Sequence, residues 1–161
     1  MSNLSSDRTE HFILFDLAGA TYGVSSQVVK QMEMVESITP VPNTTRFVDG
    51  VVFSRGQVIP VMNLRARFGF EKIPYDVRTR LIVIQLDNRT IGLIVDTARE
   101  FVTIPESAIQ PLPESISESV EKFLSGIAKL GDRLILLLDI HQLLDLKDVT
   151  ISDLSKLVVG G

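Results

Sequence analysis

The feature that most constrains the fold is an internal repeat of short apolar segments. Residues 13–29 read ILFDLAGATYGVSSQVV and residues 82–98 read IVIQLDNRTIGLIVDTA, and the two align at an offset of 69 residues. Residues 50–68 align with residues 126–144 at an offset of 76 residues. Because the two matches occur in the same order with similar offsets, we interpret the chain as a duplication.

The repeated unit is predicted to be mostly β-structure. Its apolar runs are short, rich in Val and Ile, and interrupted by Gly, Asn and Asp about every ten residues, which is typical of small barrels. We expect one hairpin to turn around Ala18-Gly19-Ala20 and its equivalent to turn at Asp87-Asn88, since Asn and Asp tolerate a positive φ.

Helices are predicted to be short, and their start signals are polar residues that can cap the first turn. Ser25 or Ser26 can start one, Asn63 a second and Asp139 a third. The predicted helical segments are 25–32, 63–69 and 139–146, with one further helical turn inside the Pro- and Ser-rich connection 111–123.

The two ends of the chain are expected to differ from the barrels. Residues 1–10 are polar and are predicted to be disordered. In the C-terminal tail, residues 147–161, Ser152 could start a short helix.

Composition excludes several classes of function. The 161 residues are 45% hydrophobic, so one domain or two small intertwined subdomains can bury a sizeable core. The net charge of −4 argues against a nucleic-acid or anionic-membrane surface, and the absence of Cys excludes disulfides and thiolate metal sites. The N-terminus lacks a signal-peptide pattern and the longest apolar run, LILLL at 134–138, is too short to cross a bilayer. We therefore expect a soluble, cytoplasmic protein.

Residues for catalysis are scarce. The chain has two histidines, His11 and His141, and neither lies in a pattern with a nucleophile. No Ser lies in a nucleophile-elbow pattern and no Gly-rich loop precedes a helix. Carboxylates are scattered rather than clustered at metal-ligand spacing. We expect a protein that is not an enzyme and has no cofactor or metal, with its function in exposed tips and in grooves between the barrels.

Arg55-Gly56 interrupts an apolar stretch with a charge. In the duplicated register it aligns with Gly131-Asp132, and both pairs fall between two predicted strands. A charge between two apolar strands is tolerated at an exposed turn, so we predict that Arg55 lies at a hairpin tip. The interpretation that it is only a turn residue competes with a role in binding a partner.

Strand periodicity also predicts the core. Alternate residues of equivalent strands should point inward in matching layers of the two barrels. The predicted core positions are Ile59, Val61, Val83, Ile135 and Leu137.

Several segments in order resemble the CheW family, the coupling proteins of bacterial chemotaxis. They are YGVSSQVVKQM, FVDGVVFSRGQVIPVMNL, IGLIVDTAREFVTIPESAIQPLP and FLSGIAKLGDRLILLLDI, within residues 11–146. The family signature runs Gly-Val, Arg-Gly, Pro-Val/Ile and Asp/Asn-Leu, which here fall on Gly50-Val51, Arg55-Gly56, Pro60-Val61 and Asn63-Leu64.

The resemblance implies a mainly β fold of two five-stranded SH3-like barrels with a few short helices, packed around a shared apolar core. It implies a single domain over residues 11–146, made of two intertwined repeats at about 13–68 and 82–144. It implies a non-catalytic adaptor that binds the regulatory domain of a CheA-type histidine kinase barrel to barrel. Such an adaptor also binds the cytoplasmic tip of a methyl-accepting chemoreceptor in the groove between the barrels. The family's partner-contact positions fall on Arg55, Gly56, Gly50, Val29, Ala98, Phe101 and Gly126.

The sequence departs from the family pattern at a few positions. Phe53-Ser54 replaces the usual Asn-Leu before Arg-Gly, Gln31 replaces a common acidic residue, and Asp49 replaces a common basic one. These departures leave open whether the pathway is swimming chemotaxis, pilus motility or another kinase array. An alternative of a different class is a small β-barrel that binds a metabolite between the barrels and regulates a kinase pathway by itself.

Overall fold

The computed structural model describes residues 8–42, 44–114 and 118–145, and most of them lie in strands. The strands are β1 (Thr9–Leu17), β2 (Ala20–Ser25), β3 (Val29–Met34), β4 (Val48–Ser54), β5 (Gln57–Asn63), β6 (Arg80–Leu86), β7 (Arg89–Val95), β8 (Thr97–Pro105), β9 (Ile109–Gln110), β10 (Leu124–Leu130) and β11 (Arg133–Leu138). The helices are α1 (Leu64–Arg67), α2 (Glu118–Glu121) and α3 (Ile140–Leu143), with a 3₁₀ turn at Glu106–Ala108.

The strands form two sheets, and each sheet takes strands from both repeats. One sheet has the order β8-β1-β2-β11-β10-β9, and the other has the order β3-β6-β7-β5-β4. The first hairpin of each repeat therefore pairs with the closing strands of the other, through the parallel pairs β2–β11 and β5–β7. The predicted fold class is confirmed, and the two-residue strand β9 is added to the first sheet. We call the two units the six-stranded and the five-stranded barrel.

Both predicted hairpin turns are confirmed. Leu17 pairs with Ala20, and the two turn residues between them have φ of 50° and 85°. Asp87 and Asn88 have φ of 52° and 69°. Two successive positive φ angles are those of a type I′ turn, whose twist matches that of the flanking strands.

The helix starts at Asn63 and Asp139 are also confirmed. The Asn63 side chain accepts a hydrogen bond from the Ala66 N–H at 3.2 Å, and that of Asp139 accepts one from the Gln142 N–H at 3.1 Å. These are N-cap interactions, which satisfy backbone donors that lack a partner inside the helix. The short helix α2 lies within the connection in which one helical turn was predicted.

The helix predicted over residues 25–32 is wrong. Ser25 uses its hydroxyl to accept the Gln27 N–H at 3.3 Å in a tight turn, and residues from Val29 onward form β3. Side chains along β3 alternate between half-buried and exposed positions, and the strand pairs with β6 over its length. Ser25 therefore forms a turn instead of a helix N-cap, and the residues that follow it form a strand because they pair with β6.

The prediction of disorder for residues 1–10 is wrong for the last two of them, Thr9 and Glu10. β1 begins at Thr9, and Thr9 and Glu10 pair with Pro105 and Ile104 of β8. Residues 1–7 lie outside the described residues, and so does the tail 147–161 with its predicted helix from Ser152.

The core has three parts that follow the two barrels and their junction. One cluster fills the six-stranded barrel and includes Ile135 and Leu137, and another fills the five-stranded barrel and includes Ile59, Val61 and Val83. All five predicted core residues are buried, as predicted. The largest cluster contains side chains from both sheets and forms the junction between the barrels; we call it the central cluster. Within the described ranges, no helix is long and apolar enough to cross a membrane.

Candidate partner-binding site

Arg55 lies at the exposed tip of the β4–β5 hairpin. Ser54 pairs with Gln57, which leaves Arg55 and Gly56 as the two turn residues, with φ of 52° and 79°. A left-handed conformation costs a residue with a Cβ roughly 1–2 kcal/mol relative to glycine. The Arg55 guanidinium makes no hydrogen bond or ion pair with any residue that the structure describes. The predicted exposed tip is confirmed, and its cation has no partner among the described residues.

Two exposed apolar side chains near this tip were not predicted as functional residues. Phe53 is 75% exposed and Met34, on the facing strand β3, is 57% exposed. Both line the same groove as Arg55. The sequence contained one signal for Phe53, since an aromatic residue stands there two positions before the tip. Met34 had none, because the segment that leads into it was predicted to be helical.

Gly50 and Gly126 occupy equivalent buried positions at irregularities of β4 and β10. The strand register shifts at each of them, as in a β-bulge. A Cβ on Gly50 would collide with the Thr39 carbonyl, and one on Gly126 would lie 2.9 Å from the Gln110 carbonyl oxygen. Both glycines therefore allow a close backbone approach inside the barrels. Their part in partner binding stays a prediction.

Val29 and Ala98 lie at the junction between the barrels. Val29 begins β3 and pairs with Ile84, and Ala98 is in β8 and pairs with Phe15. Each is half-buried and packs against the central cluster. The structure thus brings these two equivalent residues to the same cluster, with part of each side chain open to solvent.

Phe101 lies on the outer face of the β1–β8 pair and is 58% exposed. Its ring stacks on His11, with centroids 5.5 Å apart and an angle of 15° between the planes. His11 Nδ1 lies 2.9 Å from Thr103 Oγ1. Phe101 is therefore available as a surface aromatic, three residues along the strand from Ala98.

A charged pair connects α1 to the corner between β7 and β8. Arg65 donates two hydrogen bonds to the Asp96 carboxylate, from Nε to Oδ1 at 2.8 Å and from Nη2 to Oδ2 at 2.7 Å. The Ala18 N–H, at the tip of the first hairpin, donates to Asp96 Oδ2 at 2.9 Å. Burial raises the pKa of Asp96, but the hydrogen bonds from Arg65 and Ala18 outweigh it and hold that pKa below its usual value. The pair braces elements of both barrels.

A second carboxylate, Asp49, fixes the connection between α1 and β6. It accepts a hydrogen bond from Asn63 Nδ2 at 2.9 Å, another from the Tyr75 hydroxyl, and an ion pair from Lys72 Nζ at 3.0 Å. Burial raises the pKa of Tyr75, and the hydrogen bond to Asp49 raises it further. Asp49, which stands where the family commonly has a basic residue, therefore has a structural role inside the fold.

The described residues contain no group of three or more His, Cys, Asp or Glu side chains that could hold a metal ion. His11 lies on the outer face with Phe101, and His141 is an exposed residue of α3. What the arrangement offers is surface for protein partners: a charged tip, a groove beside it and a junction between two barrels.

Comparisons with known proteins match this chain to one protein family. The family model described as CheW-like domain matches residues 11–148. Chemotaxis protein CheW of Bacillus subtilis (strain 168) is 32% identical over 136 residues, which are 84% of this chain and 87% of the relative. Chemotaxis protein CheW of Klebsiella aerogenes is 29% identical over 144 residues, 89% of this chain and 87% of the relative.

Two further likenesses extend the comparison. Protein FrzA of Myxococcus xanthus is 29% identical over 124 residues, covering 77% of this chain and 78% of that protein. The crystal structure of the scaffolding protein TtCheW from Thermoanaerobacter tengcongensis superposes with a TM-score of 0.80 at 32% identity, covering 88% of this chain and 97% of that one.

Proposed function

Because the chain belongs to the CheW-like domain family, we propose that it is a non-catalytic adaptor that couples a methyl-accepting chemoreceptor to a CheA-type histidine kinase in chemotaxis or related motility signalling. The relatives that support the proposal include proteins named for chemotaxis and one solved structure named as a scaffold. Such an adaptor acts in the cytoplasm, and it needs neither a cofactor nor a metal.

The kinase is assigned to the face around the Arg55 tip. Its regulatory domain packs barrel to barrel against the five-stranded barrel near Gly50 and Gly56. The observation that carries this assignment is the exposed Arg55, held in a left-handed conformation with no partner among the described residues. Strained left-handed residues are enriched at functional sites, which supports a functional role for the Arg55 side chain.

The receptor is assigned to the junction between the barrels. Val29 and Ala98 pack against the central cluster there with part of each side chain exposed, and Phe101 and Gly126 belong to the same proposed contact set. A helical hairpin can lay an apolar stripe along such a trough, which is the helix-in-groove mode of recognition.

Co-migration on a sizing column tests the proposal. The full-length chain is mixed with the regulatory domain of a CheA-type kinase, with a receptor cytoplasmic fragment, or with both. We expect a complex with each partner and a ternary complex with both. Arg55→Glu should weaken kinase binding, Val29→Asp should weaken receptor binding, and each variant is the control for the other once circular dichroism shows that it is folded. A parent chain that binds neither partner would refute the adaptor function.

The alternative, a small-ligand-binding regulatory barrel, makes a different prediction for the same preparation. It predicts a rise in the melting temperature with a metabolite and no complex with either protein, so a thermal-shift screen run alongside the column separates the two functions. The pathway itself, swimming chemotaxis or pilus motility, follows from which kinase and receptor bind.

A further inference from the structure

The five-stranded barrel has an open seam between its two edge strands. β3 and β4 are the ends of the strand order, and a groove of about 650 Å³ lies between them. Side-chain hydrogen bonds bridge the seam at Ser54, which accepts from Gln31 Nε2 at 2.9 Å and donates to Glu33 Oε2 at 3.5 Å. We call this space the seam groove, and the lining residues used below are Met34, Ile38, Val52, Phe53, Arg55 and Leu81.

The seam groove has an apolar lining that is open to solvent. Phe53 and Met34, both largely exposed, come from β4 and β3 respectively. Leu81 is buried in the core of the five-stranded barrel, and Val52 and Ile38 pack against that core, so the lining is continuous with rigid structure. Exposed apolar residues that line one depression mark an interaction surface rather than scattered surface hydrophobicity.

Three charged side chains line the groove, Glu33, Glu36 and Arg55, and Arg55 is the cation among them. The Glu33 carboxylate is occupied, since it accepts a hydrogen bond from Gln31 Nε2 at 2.9 Å. Arg55 lines the same groove and has no partner among the described residues. A guanidinium next to an apolar surface is complementary to a carboxylate that lies beside an apolar side chain.

Recognition at this site uses side chains rather than an added strand. Thr39 pairs with Val51 of β4, with its N–H donating at 2.8 Å and its carbonyl accepting at 2.9 Å. That bridge occupies the outer backbone groups of β4 at Val51, where an extra strand would have to pair.

We propose that the seam groove is the specificity pocket of the kinase-binding face: a bulky apolar side chain of the kinase's regulatory domain inserts between Phe53 and Met34, and a neighbouring carboxylate of that domain pairs with Arg55. The inference rests on the proposed function, because it takes the kinase as the partner of the Arg55 tip. It makes Phe53, which stands where the family pattern has Asn, the residue that selects this chain's own kinase.

The test measures the dissociation constant of the kinase regulatory domain with the full-length chain by isothermal titration. Phe53→Ala and Met34→Ala should each raise it about tenfold or more, as expected for an apolar anchor at the centre of an interface. The matched control is Leu134→Ala, which truncates an apolar side chain that is 61% exposed on the six-stranded barrel, and it should leave the constant unchanged. The double variant Phe53→Ala/Arg55→Ala should lose less binding free energy than the sum of the losses in Phe53→Ala and Arg55→Ala, since one partner segment contacts both residues.

The outcomes separate this inference from the adaptor function. If Phe53→Ala and Met34→Ala bind the kinase like the parent while Arg55→Glu does not, the pocket is refuted and the adaptor stands. If the parent binds no kinase, the proposed function itself is refuted. A concentration-dependent dimer of the parent that Phe53→Ala abolishes would assign the groove to a second copy and overturn the inference. Because both side chains are exposed, thermal melting should show the variants as stable as the parent.

Discussion

The two hairpin tips related by the duplication have the same position and different chemistry. In the six-stranded barrel, Gly131 takes the left-handed conformation with φ of 63°, where glycine has no Cβ to strain. The arginine beside that tip, Arg133, is paired within the protein, its Nη1 lying 2.8 Å from Glu100 Oε1. In the five-stranded barrel the equivalent of Gly131 is Arg55, which is strained and has no partner among the described residues.

The comparison indicates how one scaffold acquires two surfaces. The hairpins, bulge glycines and capped helices of the two repeats correspond, so the two barrels share most of their framework and differ in it by the added strand β9 and the backbone angle at the bulge glycine. The difference lies in side chains that the framework does not need, such as Arg55 and Phe53. We therefore expect substitutions at equivalent core positions to affect the two barrels alike, and truncation of the exposed side chains near the Arg55 tip to affect binding far more than stability.

The largest effect is expected from the equivalent core residues Ile59 and Ile135. Each is buried in its own barrel, so truncation to Ala should lower the free energy of unfolding by about 2–5 kcal/mol. The control is Leu134→Ala, which truncates an exposed side chain next to Ile135 on β11. It should change the free energy of unfolding by less than about 0.5 kcal/mol. Urea denaturation measures all three variants. A loss at one isoleucine and none at the other would show that the two cores are not equivalent.

The bulge glycines should give a smaller effect that ranks the two barrels. Gly50 has φ of 143° and its added Cβ would meet a backbone carbonyl, whereas Gly126 lacks a positive φ. We expect Gly50→Ala to lower the free energy of unfolding by about 1–3 kcal/mol through backbone strain. Gly126→Ala should lower it by less. Thermal denaturation measured on both variants would contradict this ranking if Gly126→Ala proved the more damaging.

The framework was predictable where its signals are local. Turn residues at Ala18-Gly19 and Asp87-Asn88, and caps at Asn63 and Asp139, are determined by neighbours a few residues away. β3 was not predictable in this way, because its capping signal is local while its pairing with β6 joins residues far apart in the chain.

The exchange of hairpins between repeats had no local signal at all. The parallel pairs β2–β11 and β5–β7 connect distant segments, and periodicity says which face of a strand is buried but not which strand lies beside it. For the same reason the sequence indicated Arg55 at a tip but gave no indication of the groove, which needs β3 and β4 to face each other across the seam.

The brace between Arg65 and Asp96 should make stability depend on pH. The folded-state pKa of Asp96 is held below its usual value, so its contribution is present above the unfolded-state pKa and is lost as the pH falls through the folded-state pKa. Asp96→Asn should lower the free energy of unfolding at neutral pH by about 1–2 kcal/mol, allowing for solvent screening of a partly exposed pair. Denaturation curves at neutral and acidic pH should show the difference from the parent shrinking in acid. A difference that stays constant with pH would mean that the carboxylate charge is not what stabilises the brace.

The smallest effect on stability, and the sharpest test of the comparison, is expected from exchanging the tips. Arg55→Gly places the residue of the second tip on the first, relieving the left-handed strain while adding freedom to the unfolded chain. These contributions oppose each other, so the free energy of unfolding should change by less than about 1 kcal/mol. Kinase binding should nevertheless fall, because the cation is gone from a turn whose shape is kept.

The reciprocal variant Gly131→Arg should lose stability through strain, by roughly 1–2 kcal/mol. It should gain no kinase binding, since no equivalent of Phe53 and Met34 lies beside that tip. Chemical denaturation and titration with the kinase regulatory domain measure both quantities on the same samples. If Arg55→Gly bound the kinase as well as the parent does, the strained arginine would be a turn residue like any other, and the difference between the two tips would have no functional meaning.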